Sequence, residues 1–438
     1  LLSLLLCAVL ALFCATTAQA AGVSITLTAS EYALHYAFDA GAQDPFVILE
    51  YTTPAEKGWM MLYSADGRFE GDIALAYSGA GGKTSVALTS ARTTGSIGKA
   101  STTLPKAADY QKPTGKSNAK VTDFVLTETP EGFHYAFNAA GTDYMLLYWR
   151  SKEQTVTQPV YPDENGHYEG DVVSELTFAR TQFTVQVKSG SGSMKKEATV
   201  RKGYQAPEAP QRQEGRLSGV TVCIDAGHQE NGRFVNEPIG PGLSGSTSGK
   251  GGMAQGTKTN RRESIVCLEI GMLLRDELLR QGANVIMTRE DQMTFHTNIE
   301  RCEIAEAGGA QIMLRLHCNN SSNHSKRGIQ VYGPLNSDYA KAVADADTYR
   351  EMGQKLLDAM KTRVGMTLAN STGMVRLNDN YVGNNWAKMM CFLVEMGYLS
   401  NPAEEYLLVT PVYQQWLAEG MADGVYEIAV ARGWVQAQ

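Results

Sequence analysis

Cysteine is sparse and irregular in this 438-residue chain: seven in all, of which Cys7 and Cys14 fall in the first twenty positions. The other five (Cys223, Cys267, Cys302, Cys318, Cys391) lie in the C-terminal part, mostly inside apolar strand or helix patterns. An odd number without regular spacing is no disulfide framework, and buried free thiols are the expectation. Positive charge is also short, with 39 Lys and Arg against 46 Asp and Glu and a formal net charge of −7. That balance excludes nucleic acid as a partner, and no long basic run offers a membrane-surface patch. With 43% apolar and 19% charged residues, the composition is neither disordered nor fibrous. The length exceeds one ordinary domain, so roughly two to four are expected.

One hydrophobic run opens the chain. Leu1-Leu2-Ser3-Leu4-Leu5-Leu6 continues apolar to Phe13-Cys14 and gives way to Ala18-Gln19-Ala20. An apolar core followed by Ala-x-Ala predicts a secretory signal peptide over residues 1–20, cleaved after Ala20 and truncated at its start. The competing interpretation is an uncleaved anchor helix.

An internal repeat follows. Ala33-Leu34-His35-Tyr36-Ala37-Phe38-Asp39 matches Gly132-Phe133-His134-Tyr135-Ala136-Phe137-Asn138, and Gly67-Arg68-Phe69-Glu70-Gly71-Asp72 matches Gly166-His167-Tyr168-Glu169-Gly170-Asp171, both at an offset of 99. One offset aligning two separated blocks indicates duplication of a whole domain. Short alternating segments rich in Tyr, Phe, Val and Thr, broken by Gly, Asp and Asn, predict a small β-sandwich for each copy. The expected organisation is repeat 1 over 21–92, a linker over 93–120 rich in Thr, Ser, Gly, Lys and Pro, and repeat 2 over 121–203. A second linker over 204–216 then leads into a catalytic domain over 217–438. Tandem sandwiches ahead of a secreted catalytic domain suggest attachment to a polymer such as a cell-wall polysaccharide. Trp59, Tyr63 and Trp149 are candidates for stacking on sugars, with core packing as the alternative.

In the C-terminal part, apolar runs alternate with helical periodicity. Val222-Cys223-Ile224 ends in Asp225-Ala226-Gly227-His228, and Ile312-Met313-Leu314-Arg315-Leu316 ends in His317. A third run, Met389-Met390-Cys391-Phe392-Leu393-Val394, ends in Glu395, while Glu263 opens an amphipathic helix. Helices are expected over 264–279, 298–307 and 337–363, with a final pair around 402–432. Strands are expected at 284–288, 310–316, 329–332 and 389–394. The alternation predicts an α/β domain around a mostly parallel sheet, with ligands at the strand ends. Two histidines and a glutamate arriving from three element ends make a His2Glu zinc set with one position left for water. Glu395 is the candidate proton carrier. Gly227 gives the chain freedom to turn His228 into the cleft, and Asp225 is a candidate to orient the His228 ring. Cys318 follows His317 on an extended strand and points to the other side, so one metal does not use both.

Taken in order, Ile224-Asp225-Ala226-Gly227-His228, Arg262-Glu263, Met287-Thr288-Arg289, Leu316-His317-Cys318-Asn319 and Val394-Glu395-Met396-Gly397-Tyr398-Leu399-Ser400-Asn401 resemble the zinc N-acetylmuramoyl-L-alanine amidases of type 3 over roughly residues 217–432. The resemblance implies a three-layer fold with a mixed, mostly parallel sheet. It implies Zn2+ on His228, Glu263 and His317, with Glu395 as general base and acid for the activated water. The implied substrate is peptidoglycan, cut between N-acetylmuramic acid and L-alanine of the stem peptide by a secreted, wall-associated enzyme. Arg376 and Asn385 precede the Glu395 strand and are candidates for substrate binding. The family pattern more often has Pro and a second Gly around its first histidine, where this chain has Ala226 and Gln229. Two alternatives are a zinc exopeptidase, which would release single amino acids, and a catalytically silent wall-binding protein, which would lack a ligand or the base.

Overall fold

Buried and exposed residues alternate along many strands in the first half of the chain, as over Ser96–Leu104 and Gly132–Ala140, and this period of two builds its sheets. The computed structural model describes residues 15–18, 22–29, 33–53, 57–74, 81–106, 118–129, 132–142, 144–151, 155–173, 181–189, 192–202, 208–229, 235–247, 252–364 and 374–437. Two compact units divide the chain, residues 1–115 and 116–438.

In the first unit, β1 (Ala15–Ala18), β2 (Ile25–Ala29), β3 (Ala33–Asp39) and β6 (Arg68–Ala74) form one antiparallel sheet. A second holds β5 (Lys57–Tyr63), β4 (Phe46–Thr52), β7 (Gly82–Ser90) and β8 (Ser96–Leu104). Ile25, Leu27, Leu34 and Phe38 of the first sheet share a core with Val47, Leu49, Val86 and Leu88 of the second. The remainder of the expected leader lies outside the described residues. The linker expected over 93–120 needs correction, because β8 lies within it. Gly98, Ala100, Thr102 and Leu104 of β8 are buried in alternation. Small residues and threonines filled the inward positions, so no run of large apolar residues announced the strand.

The second unit opens with the other repeat. Its sheets are β9 (Lys120–Glu128), β10 (Gly132–Ala140) and β13 (His167–Val173), then β12 (Thr155–Val160), β11 (Met145–Arg150), β14 (Thr181–Ser189) and β15 (Met194–Lys202). Contacts recur at the offset of 99. Phe38 stacks on Phe69 with centroids 4.8 Å apart, and Phe137 on Tyr168 at 4.6 Å. His35 Nδ1 meets Asp72 at 3.0 Å, and His134 Nδ1 meets Asp171 at 2.9 Å. Trp149 is only 4% exposed and packs edge-on against Phe133 and Phe183, so it is a core residue and not a sugar-stacking one. Trp59 and Tyr63 on β5 are 38% and 43% exposed, and the Tyr63 ring also packs on its cross-strand neighbour Phe46 with centroids 5.0 Å apart.

The α/β part of this unit carries a six-stranded mixed sheet. Its strands are β16 (Thr221–Ala226), β17 (Asn284–Met287), β18 (Ile312–Asn319), β19 (Gln330–Gly333), β20 (Met374–Leu377) and β21 (Met390–Tyr398), in the order β17-β16-β18-β21-β19-β20. Every neighbouring pair is parallel except β19 with β21. The helices are α1 (Glu263–Arg280), α2 (Asn298–Ala307), α3 (Asp338–Val343), α4 (Ala346–Val364), α5 (Val382–Trp386), α6 (Glu404–Leu408) and α7 (Pro411–Ala431). Strand alternation sorts them to the two faces. Ile224, Ala226 and Leu316 meet α1 at Gly271, whereas Cys223, Met313 and Cys391 cluster with Cys302 and Ala305 of α2. The continuous apolar runs of β16, β18 and β21 follow from burial on both faces.

Local signals set the helix ends. Thr297 and Glu300 close a reciprocal capping box at the start of α2. Gly282, at φ +95°, follows α1 in a conformation that suits glycine. The helical region expected over 337–363 is two helices, interrupted where Ala344 is extended. Residues 208–216 are not a free linker: Gln213 N donates to Leu279 O at 3.0 Å and Arg212 Nη1 to Gly282 O at 2.9 Å, fixing this stretch to the end of α1.

Candidate metal centre

The parallel strands β16, β18 and β21 deliver their carboxyl ends to one edge of the sheet, where an open cleft of about 500 Å³ lies. His228 follows β16, His317 lies near the end of β18, and Glu395 sits on β21 opposite His317 in register. Glu263, the first residue of α1, completes the group from above the sheet. The four residues all line the cleft.

One donor atom each from His228, Glu263 and His317 lies within 4.8 Å of the others. The Glu263 carboxylate is the hub: Oε2 is 3.1 Å from His228 Nε2, and Oε1 is 3.0 Å from His317 Nδ1. Two backbone donors steady it, Ala254 N at 2.8 Å and Cys318 N at 2.9 Å. Burial opposes the charged form of Glu263, yet hydrogen bonds from the two histidines outweigh it and hold the carboxyl far below its ordinary range. Burial depresses the His317 pKa and favours the neutral imidazole, the form that ligates a metal. His317 Nε2 is buried without a hydrogen-bond partner. Two imidazoles and a carboxylate with this spacing fit a divalent transition ion of the zinc type.

Glu395 stands apart from this hub. Its Oε2 is buried and unpaired, and burial, followed by the charge of Glu263, pushes its carboxyl up to about 8. An ion pair with Arg289 does not form. The Arg289 guanidinium is instead spent on main-chain oxygens of Ala226, Gly227, Ser264 and Asp291, at 2.7 to 2.9 Å.

Two expected roles need correction. Asp225 does not touch the His228 ring. It is fully buried and accepts from Thr288 Oγ1 at 2.7 Å, Arg315 Nε at 3.0 Å and Arg301 Nη1. Burial raises the cost of its charge, and the two guanidiniums overcome that cost and hold the carboxyl well below the usual range. Asn385 is buried away from the cleft, with Nδ2 donating to Ile239 O at 3.1 Å and Asp379 O at 2.9 Å, so it ties a loop instead of contacting substrate. Arg376 lies exposed on β20, beside the cleft residue Tyr381 in charge but not itself a lining residue.

Gly227 also acts differently from expectation. The left-handed backbone belongs to His228 itself, at φ +57°. Gly227 is needed for approach: a Cβ there would lie 2.4 Å from Leu316 O and 2.6 Å from His317 Cε1. Cys318 lines the cleft but falls outside the donor group, its thiol hydrogen-bonded to that of Cys267. His324 Nδ1 donates to Ser400 O at 2.6 Å and lies outside the donor group too.

The glycine-rich stretch between His228 and Glu263 reads in sequence as either a wall of the groove or a mobile surface loop, and its described residues Thr247, Gly252 and Ala254 line the cleft. The loop over 235–247 is pinned by Trp386 Nε1 to Pro238 O at 2.9 Å and by Asp338 N to Pro241 O at 2.9 Å. Glu237 of the same loop caps α2, accepting from Ile299 N at 2.8 Å. Thr247 then reaches the cleft lining. Residues 248–251, including part of the glycine-rich segment, lie outside the described residues. Arg315, inside an otherwise apolar run, was the one visible sign of a buried charge network.

A six-stranded α/β sheet with two imidazoles and a carboxylate gathered at its carboxyl edge is a fold that carries a candidate divalent-metal site. The sequence profile of the N-acetylmuramoyl-L-alanine amidase family matches residues 222–427, and this C-terminal part of the chain belongs to that family. The germination-specific N-acetylmuramoyl-L-alanine amidase of Bacillus subtilis (strain 168) is 26% identical over 231 residues, covering 50% of this chain and 83% of that protein. The probable cell wall amidase LytH of Staphylococcus aureus is 26% identical over 218 residues, covering 49% of this chain and 60% of that protein. The solved N-acetylmuramoyl-L-alanine amidase of Clostridium difficile 630 aligns with a TM-score of 0.38 and 24% identity, covering 48% of this chain and 96% of that chain. The family match begins after both repeats.

Proposed function

We propose that the C-terminal domain is a zinc-dependent N-acetylmuramoyl-L-alanine amidase that cuts peptidoglycan between N-acetylmuramic acid and the first L-alanine of the stem peptide. The observation that carries this is the convergence of His228, Glu263 and His317 within 4.8 Å, in one cleft with Glu395. A bound divalent ion supplies Lewis-acid polarisation of the scissile carbonyl and acidifies water. The chain's own residues do the rest. His228 and His317 present neutral nitrogens, and Glu263 supplies the compensating negative charge. Glu395 accepts a proton from water at its unpaired Oε2 and returns it to the leaving amine of L-alanine. In the metal-free chain, burial raises this carboxyl to about 8, so the site favours the protonated form that a proton donor needs.

Secretion and attachment to the wall complete the proposal. We take each N-terminal repeat as a β-sandwich and the exposed rings of Trp59 and Tyr63 as a surface for wall polysaccharide. Digestion of purified peptidoglycan, read by mass spectrometry of the fragments, tests the activity. Intact stem peptides with a free N-terminal alanine, absent with Glu395→Ala or a chelator, are expected. Release of single amino acids would replace the amidase with an exopeptidase.

A further inference from the structure

Three consecutive carbonyls flank the first metal-type ligand, and two buried arginines hold all of them. Arg301 Nη1 donates to Ala226 O at 2.9 Å and Nη2 to His228 O at 3.1 Å. Arg289 Nε donates to the same Ala226 O at 2.7 Å and Nη2 to Gly227 O at 2.8 Å. His228 adopts a left-handed backbone that a side-chain-bearing residue rarely keeps without restraint from its surroundings. Gln229, at the position where the resembling family more often has glycine, joins the same restraint. Its Oε1 accepts from Arg301 Nη2, and its Nε2 donates to His296 O at 3.2 Å.

We propose that Arg301 is a positioning residue for the metal centre, which together with Arg289 and Gln229 locks the strained His228 backbone so that its ring meets Glu263. The proposal rests on the metal interpretation given above. Arg301 makes no hydrogen bond to the ligating side-chain atoms of His228, Glu263 or His317. It acts through main-chain oxygens, and Asp225 keeps its charge in place. A planar guanidinium with several donors in fixed directions can bridge Asp225, two carbonyls and Gln229 at once, which a lysine ammonium on a flexible stem cannot. The loop therefore needs arginine geometry at this position and not merely positive charge.

The test uses the full chain and Co2+ as the probe, because its visible absorption reports coordination geometry. Arg301→Lys preserves the charge facing Asp225, and Gln229→Ala removes one anchor while leaving both arginines. Ser337→Ala removes the buried bond to Asn385 O, remote from the donor group, and serves as the stability control. Arg301→Lys is expected to weaken Co2+ binding by about 10- to 100-fold and to alter its spectrum, the range typical of outer partners of metal ligands. Gln229→Ala is expected to weaken it less, and Ser337→Ala should lower Tm without changing affinity. Wild-type affinity and spectrum in both Arg301→Lys and Gln229→Ala would overturn the positioning role while leaving the metal interpretation intact. Equal loss in Ser337→Ala, compared at the same distance below Tm, would overturn it as a mere stability effect. A wild-type chain that binds no Co2+ would remove the metal interpretation itself, and this proposal with it. If Arg301→Lys fails to fold, the Gln229→Ala comparison decides.

Discussion

Replacing Asp225 with asparagine should unfold the α/β domain far more readily than its position outside the cleft suggests. The carboxylate is fully buried and receives Thr288 Oγ1 at 2.7 Å, Arg315 Nε at 3.0 Å and Arg301 Nη1. Both arginines are themselves only 4% exposed. Asparagine keeps the shape and an acceptor for Thr288, but strands two cations in a medium that solvates them poorly. Removing one partner of a buried pair costs about 3–5 kcal/mol. A domain of this size holds about 5–15 kcal/mol in total. At roughly 2–4 °C per kcal/mol, the Tm should fall by about 6–20 °C. Calorimetry of the full chain would resolve the α/β transition from those of the repeats as the one that shifts with added metal. The effect should also follow pH in a particular direction. The folded pKa of Asp225 lies well below its unfolded value of about 3.9, so its stabilisation is complete above about pH 4 and disappears as pH falls through the depressed folded value. Wild type and Asp225→Asn should therefore differ by the same amount from pH 5 to 7 and converge only in strong acid. A loss below about 1 kcal/mol at pH 7 would refute the premise that Asp225 is the countercharge of both arginines.

Other consequences are open to direct measurement. Glu263→Ala should abolish metal binding by equilibrium dialysis, because it removes the hub that both histidines meet. In metal-free protein Glu395 binds its proton more tightly folded than unfolded, so stability should decline as pH rises from about 4.3 to about 8. Glu395→Gln should flatten that decline in denaturant titrations, and a slope equal to wild type would contradict the raised pKa. Gly227→Ala should weaken metal binding and lower Tm together, since the new methyl lies 2.4 Å from Leu316 O and 2.6 Å from His317 Cε1. Trp149→Ala should destabilise the second repeat by about 3–5 kcal/mol, whereas Trp59→Ala should leave Tm almost unchanged and reduce co-sedimentation with purified wall.

The candidate ligand residues could be picked out because each sits where a pattern breaks, and the resemblance to the amidases is what gave them a ligand role. Each alone has a structural explanation, since an acid opening a helix is favoured by the helix dipole and a single histidine is more often structural, but their convergence in family order has none. The sheet was legible because β16, β18 and β21 are continuous apolar runs. What was not legible is what depends on register. Asp225 and Arg315 are partners on adjacent strands, yet ninety positions separate them in sequence, and only the alignment of β16 with β18 makes one explain the other. Reasoning along the chain instead paired Asp225 with His228, its near neighbour. Asn385 was misassigned in the same way, by proximity to the Glu395 strand, when its amide closes a loop from Ile239. The strand at Ser96–Leu104 was missed because threonine, alanine and glycine can line a core without looking apolar.

The strand order has a consequence for when the centre comes into being. β21 is the last strand in sequence but lies between β18 and β19, so it must insert into the middle of the sheet. Glu395 arrives with it, after both histidines and Glu263 have already been synthesised. A chain emerging from its N-terminus therefore has all three metal-type ligands before its proton carrier and before a closed sheet. The proton carrier thus joins after the three metal-type ligands, and a nascent or truncated chain ending before Met390 should be catalytically silent when assayed on peptidoglycan.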